Sequence, residues 1–345
     1  MENIVEAVKL IAAEKDLKEE VLFDSIQAAL VTAYKKNFGN NRQSRVTIDR
    51  ETGEIHIFTQ YEVVEEVLDD ETEISLDQAK ELDKIYEIGD IVEKEETPRD
   101  FGRISALAAK QVVVQRIREA ERNSVYEEYK DRENELINGI IQRINNGVVY
   151  FDLGKAEALL LPKEQVRGER YAPGMRYRTF LAEVRQTSKA PQILVSRTHP
   201  GLVRRLFELE VPEIQDGDVL IKSIAREAGS RTKIAVAANS ENIDPIGTCV
   251  GPKGNRVNNI VDELGGEKID IILFEDEPER FIENALSPSR VTSVELIAEK
   301  TARVIVPDYQ LSLAIGKEGQ NARLAAKLTG YKIDILSESQ AEELS

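Results

Sequence analysis

Apolar positions through residues 3–37 recur at helical spacing. Leu22, Ile26, Ala29, Leu30 and Ala33 fall on one stripe, and acidic residues fill the opposite face. The period then changes to two. RVTIDRETGEIHIFTQYEVVEEV reads as two alternating strands around a turn at Glu51-Thr52-Gly53. ISLDQAKEL fits a short helix capped by Ser75, and residues from Arg103 to about Tyr129 fit one long helix. Residues 134–196 instead carry short β-rich runs broken at Asn145-Asn146-Gly147, Gly154 and Pro162; five short strands with tight turns predict a small barrel. After Pro200 the order becomes helix, strand, strand, helix, helix, strand, and the same order returns from residue 280 to 336.

This second recurrence is an internal repeat. IGTCVGPKGNRVNNIVDELGGEKIDII parallels SLAIGKEGQNARLAAKLTGYKIDIL, with Gly251 and Gly254 falling on Gly316 and Gly319. Each copy places an aliphatic residue, a Gly-x-x-Gly loop, a helix and a strand in succession. Glycines let a backbone approach a phosphate closely, and the following helix offers unpaired N–H groups. Two such loops in one repeated frame predict tandem KH domains of the bacterial type II order, whose loops clamp single-stranded RNA. Gly251, Pro252, Lys253, Gly254 and Arg256 are the candidates in the first copy. Gly316, Lys317, Glu318, Gly319, Gln320, Asn321 and Arg323 are those in the second, where Glu318 puts an acid in the loop.

The barrel segment interleaves aromatic residues with arginines, a pattern suited to single-strand binding on an OB-fold surface. Arg176, Arg178, Tyr150 and Phe151 are the candidates here. Tyr150 and Phe151 are adjacent on one strand, so they point to opposite sides, and the sequence leaves open which of them faces solvent. On the long helix, Arg103, Lys110, Arg116 and Arg118 mark either a solvated face or a protein-docking face.

Charge constrains these readings. The net charge is −17, against expectation for a nucleic-acid binder. Its distribution is uneven: residues 1–130 carry −12, and residues 131–200 carry +3. An RNA surface is therefore expected as a local patch beyond residue 130. The single cysteine, Cys249, excludes an intramolecular disulfide and fits a reducing, cytoplasmic setting. The N-terminal stretch lacks the pattern of a signal peptide, and no apolar run is long enough to span a membrane. His56 and His199 lie far apart in sequence, with no nucleophile or metal-ligand spacing beside either, and no P-loop occurs. An enzyme is not expected, nor is any metal or cofactor. A phosphorolytic ribonuclease with accessory RNA modules would need a larger catalytic core than the first 130 residues provide. A ribosome-assembly role stays open.

The segments SRTHPGLVRRLFELEVPEI, IKSIAREAGSRTKIAVAA, NIDPIGTCVGPKGNRV and QLSLAIGKEGQNARLAAKLTGYKIDIL, with PKEQVRGERYAPGMRYR upstream, closely resemble the NusA family, and the resemblance spans the chain. It implies a multidomain α+β protein with four parts: an α/β polymerase-binding domain at 1–130, a five-stranded OB-fold barrel at 131–200, and KH domains at 201–279 and 280–345. It implies a non-enzymatic factor that acts in pausing, termination and antitermination. The implied partners are core RNA polymerase, single-stranded nascent RNA and other antitermination factors. The expected state is a cytoplasmic monomer.

Overall fold

The computed structural model describes residues 4–15, 18–38, 43–98, 101–187 and 189–344. The chain forms two compact units, Met1–Ser124 and Val125–Ser345.

The first unit opens with helices α1 (Ile4–Lys15) and α2 (Glu19–Phe38). Glutamates begin α2 and lysines end it, each favourable to the helix dipole. Strands β1 (Gln43–Ile48) and β2 (Ile55–Val64) pair around the anticipated turn, where Gly53 has φ +76°. Strand β3 (Glu73–Ser75), helix α3 (Leu76–Leu82), strand β4 (Ile91–Glu95) and helix α4 (Phe101–Lys130) follow. Ser75 caps α3 by accepting from the Gln78 amide. The α2 stripe is rotated from the expected one: Leu22, Phe23, Ile26, Leu30 and Tyr34 are buried, with the two larger rings displacing Ala29 and Ala33 from the centre. Tyr34 packs at 5.8 Å edge-on to Phe101, tying α2 to the start of α4.

The second unit begins within α4, whose Val125, Tyr126 and Tyr129 join the barrel core. The barrel strands are β5 (Leu136–Asn145), β6 (Val148–Asp152), β7 (Glu157–Leu160), β8 (Arg176–Arg185) and β9 (Gln192–Ser196). They close in the order β5-β6-β7-β9-β8. The β5–β6 turn has positive φ at both Asn146 and Gly147, the signature of a type I′ hairpin.

The first KH module comprises α5 (Pro200–Glu210), α6 (Pro212–Gln215), β10 (Val219–Glu227), β11 (Arg231–Ala238), α7 (Pro245–Val250), α8 (Asn255–Glu263) and β12 (Lys268–Leu273). The second comprises α9 (Pro278–Ala285), β13 (Ser293–Ala298), β14 (Thr301–Val306), α10 (Leu311–Ile315), α11 (Gln320–Thr329) and β15 (Lys332–Ser337), and α12 (Glu338–Leu344) follows. In both, the middle strand pairs antiparallel with the first and parallel with the last. Register repeats too: Arg231 faces Lys268 as Thr301 faces Lys332.

Contacts across the module seams are specific. Arg197, 1% exposed, forms an ion pair with Glu169 of the barrel region. It also donates to the Arg178 carbonyl at 2.8 Å and to the Glu263 carbonyl of the first KH module at 2.9 Å. A buried guanidinium is tolerated only when its donors are satisfied. Phe180 of the barrel sits in the core of the first KH module beside Leu202, Phe207 and Val219. Ala225, Ala235 and Ile272 of that module pack into one cluster with Phe281, Leu286, Leu324 and Leu328 of the second.

Candidate nucleic-acid interface

The two glycine loops adopt nearly the same backbone. Gly251, Lys253 and Gly254 have φ +72°, +56° and +78°; Gly316, Glu318 and Gly319 have +76°, +54° and +74°. The Gly254 amide donates to the Gly251 carbonyl at 3.1 Å, and Gly319 to Gly316 at 3.1 Å. The loops are tight because the next helix closes on the first glycine. A Cβ on Gly251 would lie 2.7 Å from Arg256 Cγ, and one on Gly316 would lie 2.8 Å from the Asn321 backbone nitrogen. Pro252, Lys253, Lys317 and Glu318 are exposed at the loop tips.

Several expected phosphate ligands are engaged elsewhere. Arg256 is half-buried and donates to the Thr248 carbonyl at 2.7 Å and to Glu213 at 3.0 Å. Asn321 occupies the matching place in the second copy. It is 5% exposed, and its Nδ2 donates to the carbonyls of Leu286 and Ala314, both at 3.0 Å. These two residues brace the loops from behind. Gln320 donates to Glu227 at 2.8 Å and to Ser230 at 2.7 Å, and Arg323 donates to Glu227 at 3.0 Å. They clasp the second KH module to the β10–β11 hairpin of the first. Glu227 is held below the usual carboxylate range: burial alone would raise it, but Gln320 and Arg323 overcome that.

The barrel resolves the choice between its adjacent aromatic residues. Phe151 is fully buried in the core, and Tyr150 on the outer side is half-buried. The expectation that Phe151 contacts RNA is therefore corrected. Tyr150 carries the Arg143 guanidinium 4.0 Å above its ring, and Arg143 is held by Glu157. Arg143 was not among the sequence candidates; its signal was register, since it faces Tyr150 across β5–β6. Arg176 is exposed at the start of β8. Arg178 is partly exposed and pairs with Glu263 at 3.3 Å. The Tyr171 hydroxyl faces inward and donates to Glu169, while Phe180 stacks on His199 at 4.4 Å. Most of the barrel's aromatic signal thus belongs to core and seam.

On α4, Arg103, Lys110 and Arg118 are exposed in line with Leu107, 65% exposed, and Val114. Arg116 departs from that face: it donates to Ser25 Oγ at 2.8 Å and pairs with Glu119. Cys249 is core, and burial pushes its thiol up to about 12. Among the described residues, no cluster is suited to hold a metal, and no helix is long and apolar enough to cross a membrane.

Residues 3–123 match the NusA N-terminal domain family, 197–274 the NusA-like first KH domain and 278–343 the NusA-like second KH domain. A Halalkalibacterium halodurans protein named transcription termination/antitermination protein NusA is 56% identical over 99% of this chain and 90% of its own length. The Bacillus subtilis protein of the same name is 54% identical over 99% and 92%. The Thermus thermophilus one is 43% identical over 96% and 89%.

Proposed function

Since the chain belongs to the NusA family of transcription termination/antitermination proteins, we propose that it regulates transcription by holding nascent single-stranded RNA while bound to core RNA polymerase. It does so without catalysis, as a cytoplasmic monomer. Residues 1–130 are the polymerase-binding domain, 131–200 the RNA-binding barrel, and 201–279 and 280–345 the KH domains. The observation that carries this reading is the pair of exposed Gly-x-x-Gly loops of matching backbone, held in one compact unit with a barrel.

In this reading Gly251, Pro252, Lys253 and Gly254 clamp one stretch of RNA, and Gly316, Lys317 and Gly319 form a weaker clamp beside Glu318. Tyr150 with Arg143, and Arg176 with Arg178, extend the path over the barrel. Arg103, Lys110 and Arg118, with Leu107 and Val114 between them, form the face presented to polymerase. An acidic first unit repels phosphate, so it tethers, and tethering raises the effective RNA concentration at the weak sites. With on the order of four phosphate contacts, log K falls with log salt at a slope of about −3.

The test divides the chain where its compact units meet, so that Val125, Tyr126 and Tyr129 stay with the barrel. Residues 1–124 are expected to capture core polymerase and leave RNA unshifted; residues 125–345 are expected to do the reverse. Polymerase capture by 125–345 alone would overturn the tethering mechanism.

A further inference from the structure

A cavity of about 340 Å³ lies between the barrel and the first KH module, away from both glycine loops and from Tyr150. Its walls include Asn134, Phe180, His199, Arg204, Arg205 and Ile224. Arg204 donates Nη1 to the Ile221 carbonyl at 3.1 Å. Arg205 donates Nε to the Asn134 carbonyl at 2.6 Å and Nη1 to Glu208 at 2.6 Å. Among the described residues, Nε and Nη2 of Arg204 and Nη2 of Arg205 have no protein partner.

His199 adds a further donor. Its Nδ1 accepts from the Gly201 amide at 3.0 Å, so in the neutral ring the proton sits on Nε2. Phe180 stacks parallel on the ring, at 4.4 Å and 4°, and fixes its direction. The charges around the space are Arg204, Arg205 paired with Glu208, and Arg226, which is paired with Glu267 while bonded to the His199 carbonyl, with Glu164 acting on His199 from the barrel side. Among the described residues, Arg204 is the one of these arginines without a carboxylate partner, so the free positive charge of the site rests on it. Phe180 and Ile224 supply apolar wall.

Guanidinium donors recognise phosphate, and an apolar wall beside them accepts a sugar or base. The volume is at the lower end of the ~300–1,000 Å³ range of ligand sites, which suits one nucleotide rather than a run of them. We propose that this seam cavity binds a single nucleotide unit, its phosphate on Arg204 and Arg205 and an acceptor atom on His199 Nε2–H. The unit is either one residue of an RNA strand crossing from barrel to KH module, or a free mononucleotide. The RNA form rests on the RNA-binding reading above; the free form does not.

The experiment uses the full chain. Single-stranded RNA bearing 4-thiouridine is photo-crosslinked and the labelled peptides are mapped. AMP and UMP binding is titrated separately, and RNA affinity is measured against salt for wild type and Arg204→Gln/Arg205→Gln. Crosslinks in residues 197–209, with about tenfold weaker RNA binding and a salt slope shallower by about 0.7 in the variant (one phosphate at ~0.7), support the RNA form. Mononucleotide binding lost in the variant, without crosslinks there, supports the free form. Absence of both overturns the proposal. In that case crosslinks at residues 251–254 show that the RNA-binding reading stands without it, and their absence takes that reading down as well. If the variant melts early, the wild-type crosslink map and mononucleotide titration decide alone.

Discussion

The glycine loops allow a ranked test of how the KH modules are built. Gly316 has φ +76° and ψ 172°, a region open essentially to glycine alone. Replacing it with alanine costs about 1–3 kcal/mol in backbone strain. The new Cβ also meets the Asn321 backbone nitrogen at 2.8 Å, with Asn321 anchored by its buried bonds to Leu286 and Ala314. Overpacking against a fixed neighbour adds about 1–3 kcal/mol, so Gly316→Ala is expected to lose roughly 3–5 kcal/mol. Gly251→Ala meets the same strain, at φ +72° and ψ 174°, but its clash is with the Arg256 side chain. That side chain can move at the expense of its bonds to Glu213 and Thr248, for a total of roughly 2–3 kcal/mol. Gly319→Ala is mildest: φ +74° and ψ 16° is ordinary left-handed helix, and the nearest atom is Arg323 Nη1 at 3.4 Å. It should lose about 1 kcal/mol. Thermal melting of the full chain reads the order, since each kcal/mol shifts Tm by about 2–4 °C in a domain of this size class. Gly316→Ala is expected to melt roughly 10 °C low and Gly319→Ala a few degrees low. A Gly319→Ala protein melting at or below Gly316→Ala would refute the reasoning.

Phe151→Ala is expected to cost about 3–5 kcal/mol of stability; Tyr150→Ala should leave the melt almost unchanged yet weaken RNA binding by about 1–3 kcal/mol, as lost stacking does, and denaturation alongside RNA titration separates the two. Pro252→Asp with Lys253→Asp should reduce RNA affinity more than Lys317→Asp with Glu318→Asp, because the second loop already holds an acid; equal losses in anisotropy titrations would remove loop charge as the deciding factor. Glu267 is buried, which raises its carboxyl, but Arg226, Thr232 and the Gly229 amide bring it below its ordinary value. A depressed carboxylate stabilises above its unfolded pKa of about 4.3 and loses that contribution as pH falls through its folded value. Glu267→Gln should therefore lose about 3–5 kcal/mol at pH 7, leaving Arg226 buried and unpaired, and show a flatter acid limb below about pH 4; an unchanged pH profile would contradict this.

The repeat, the barrel and the long helix were legible because each imposes a period on the chain, and a period survives in sequence. Orientation within a period was not. Alternation puts Tyr150 and Phe151 on opposite faces but does not say which face is filled, and closure of the barrel settled it. Tertiary engagement of the candidate ligands was not legible either, for a related reason. Arg256, Gln320, Asn321 and Arg323 stand where a phosphate binder would stand after a glycine loop. Their actual partners are distant in sequence: Glu213 is 43 residues from Arg256, and Glu227 is 96 from Arg323. Arg116 is engaged likewise, its acceptor Ser25 being 91 residues away. Local spacing places a side chain, while a tertiary partner decides whether it is free.

Arg197 has a consequence for how such chains can diverge. Its guanidinium leaves the end of the barrel, but its acceptors are divided between the barrel region and the Glu263 end of α8. A barrel exchanged alone between relatives would carry this cation into a seam whose other half was shaped elsewhere, and a KH module exchanged alone would withdraw acceptors from a charge that cannot reach water. The heritable cassette is therefore barrel plus first KH module, and substitutions at positions 169, 197 and 263 are expected to travel together.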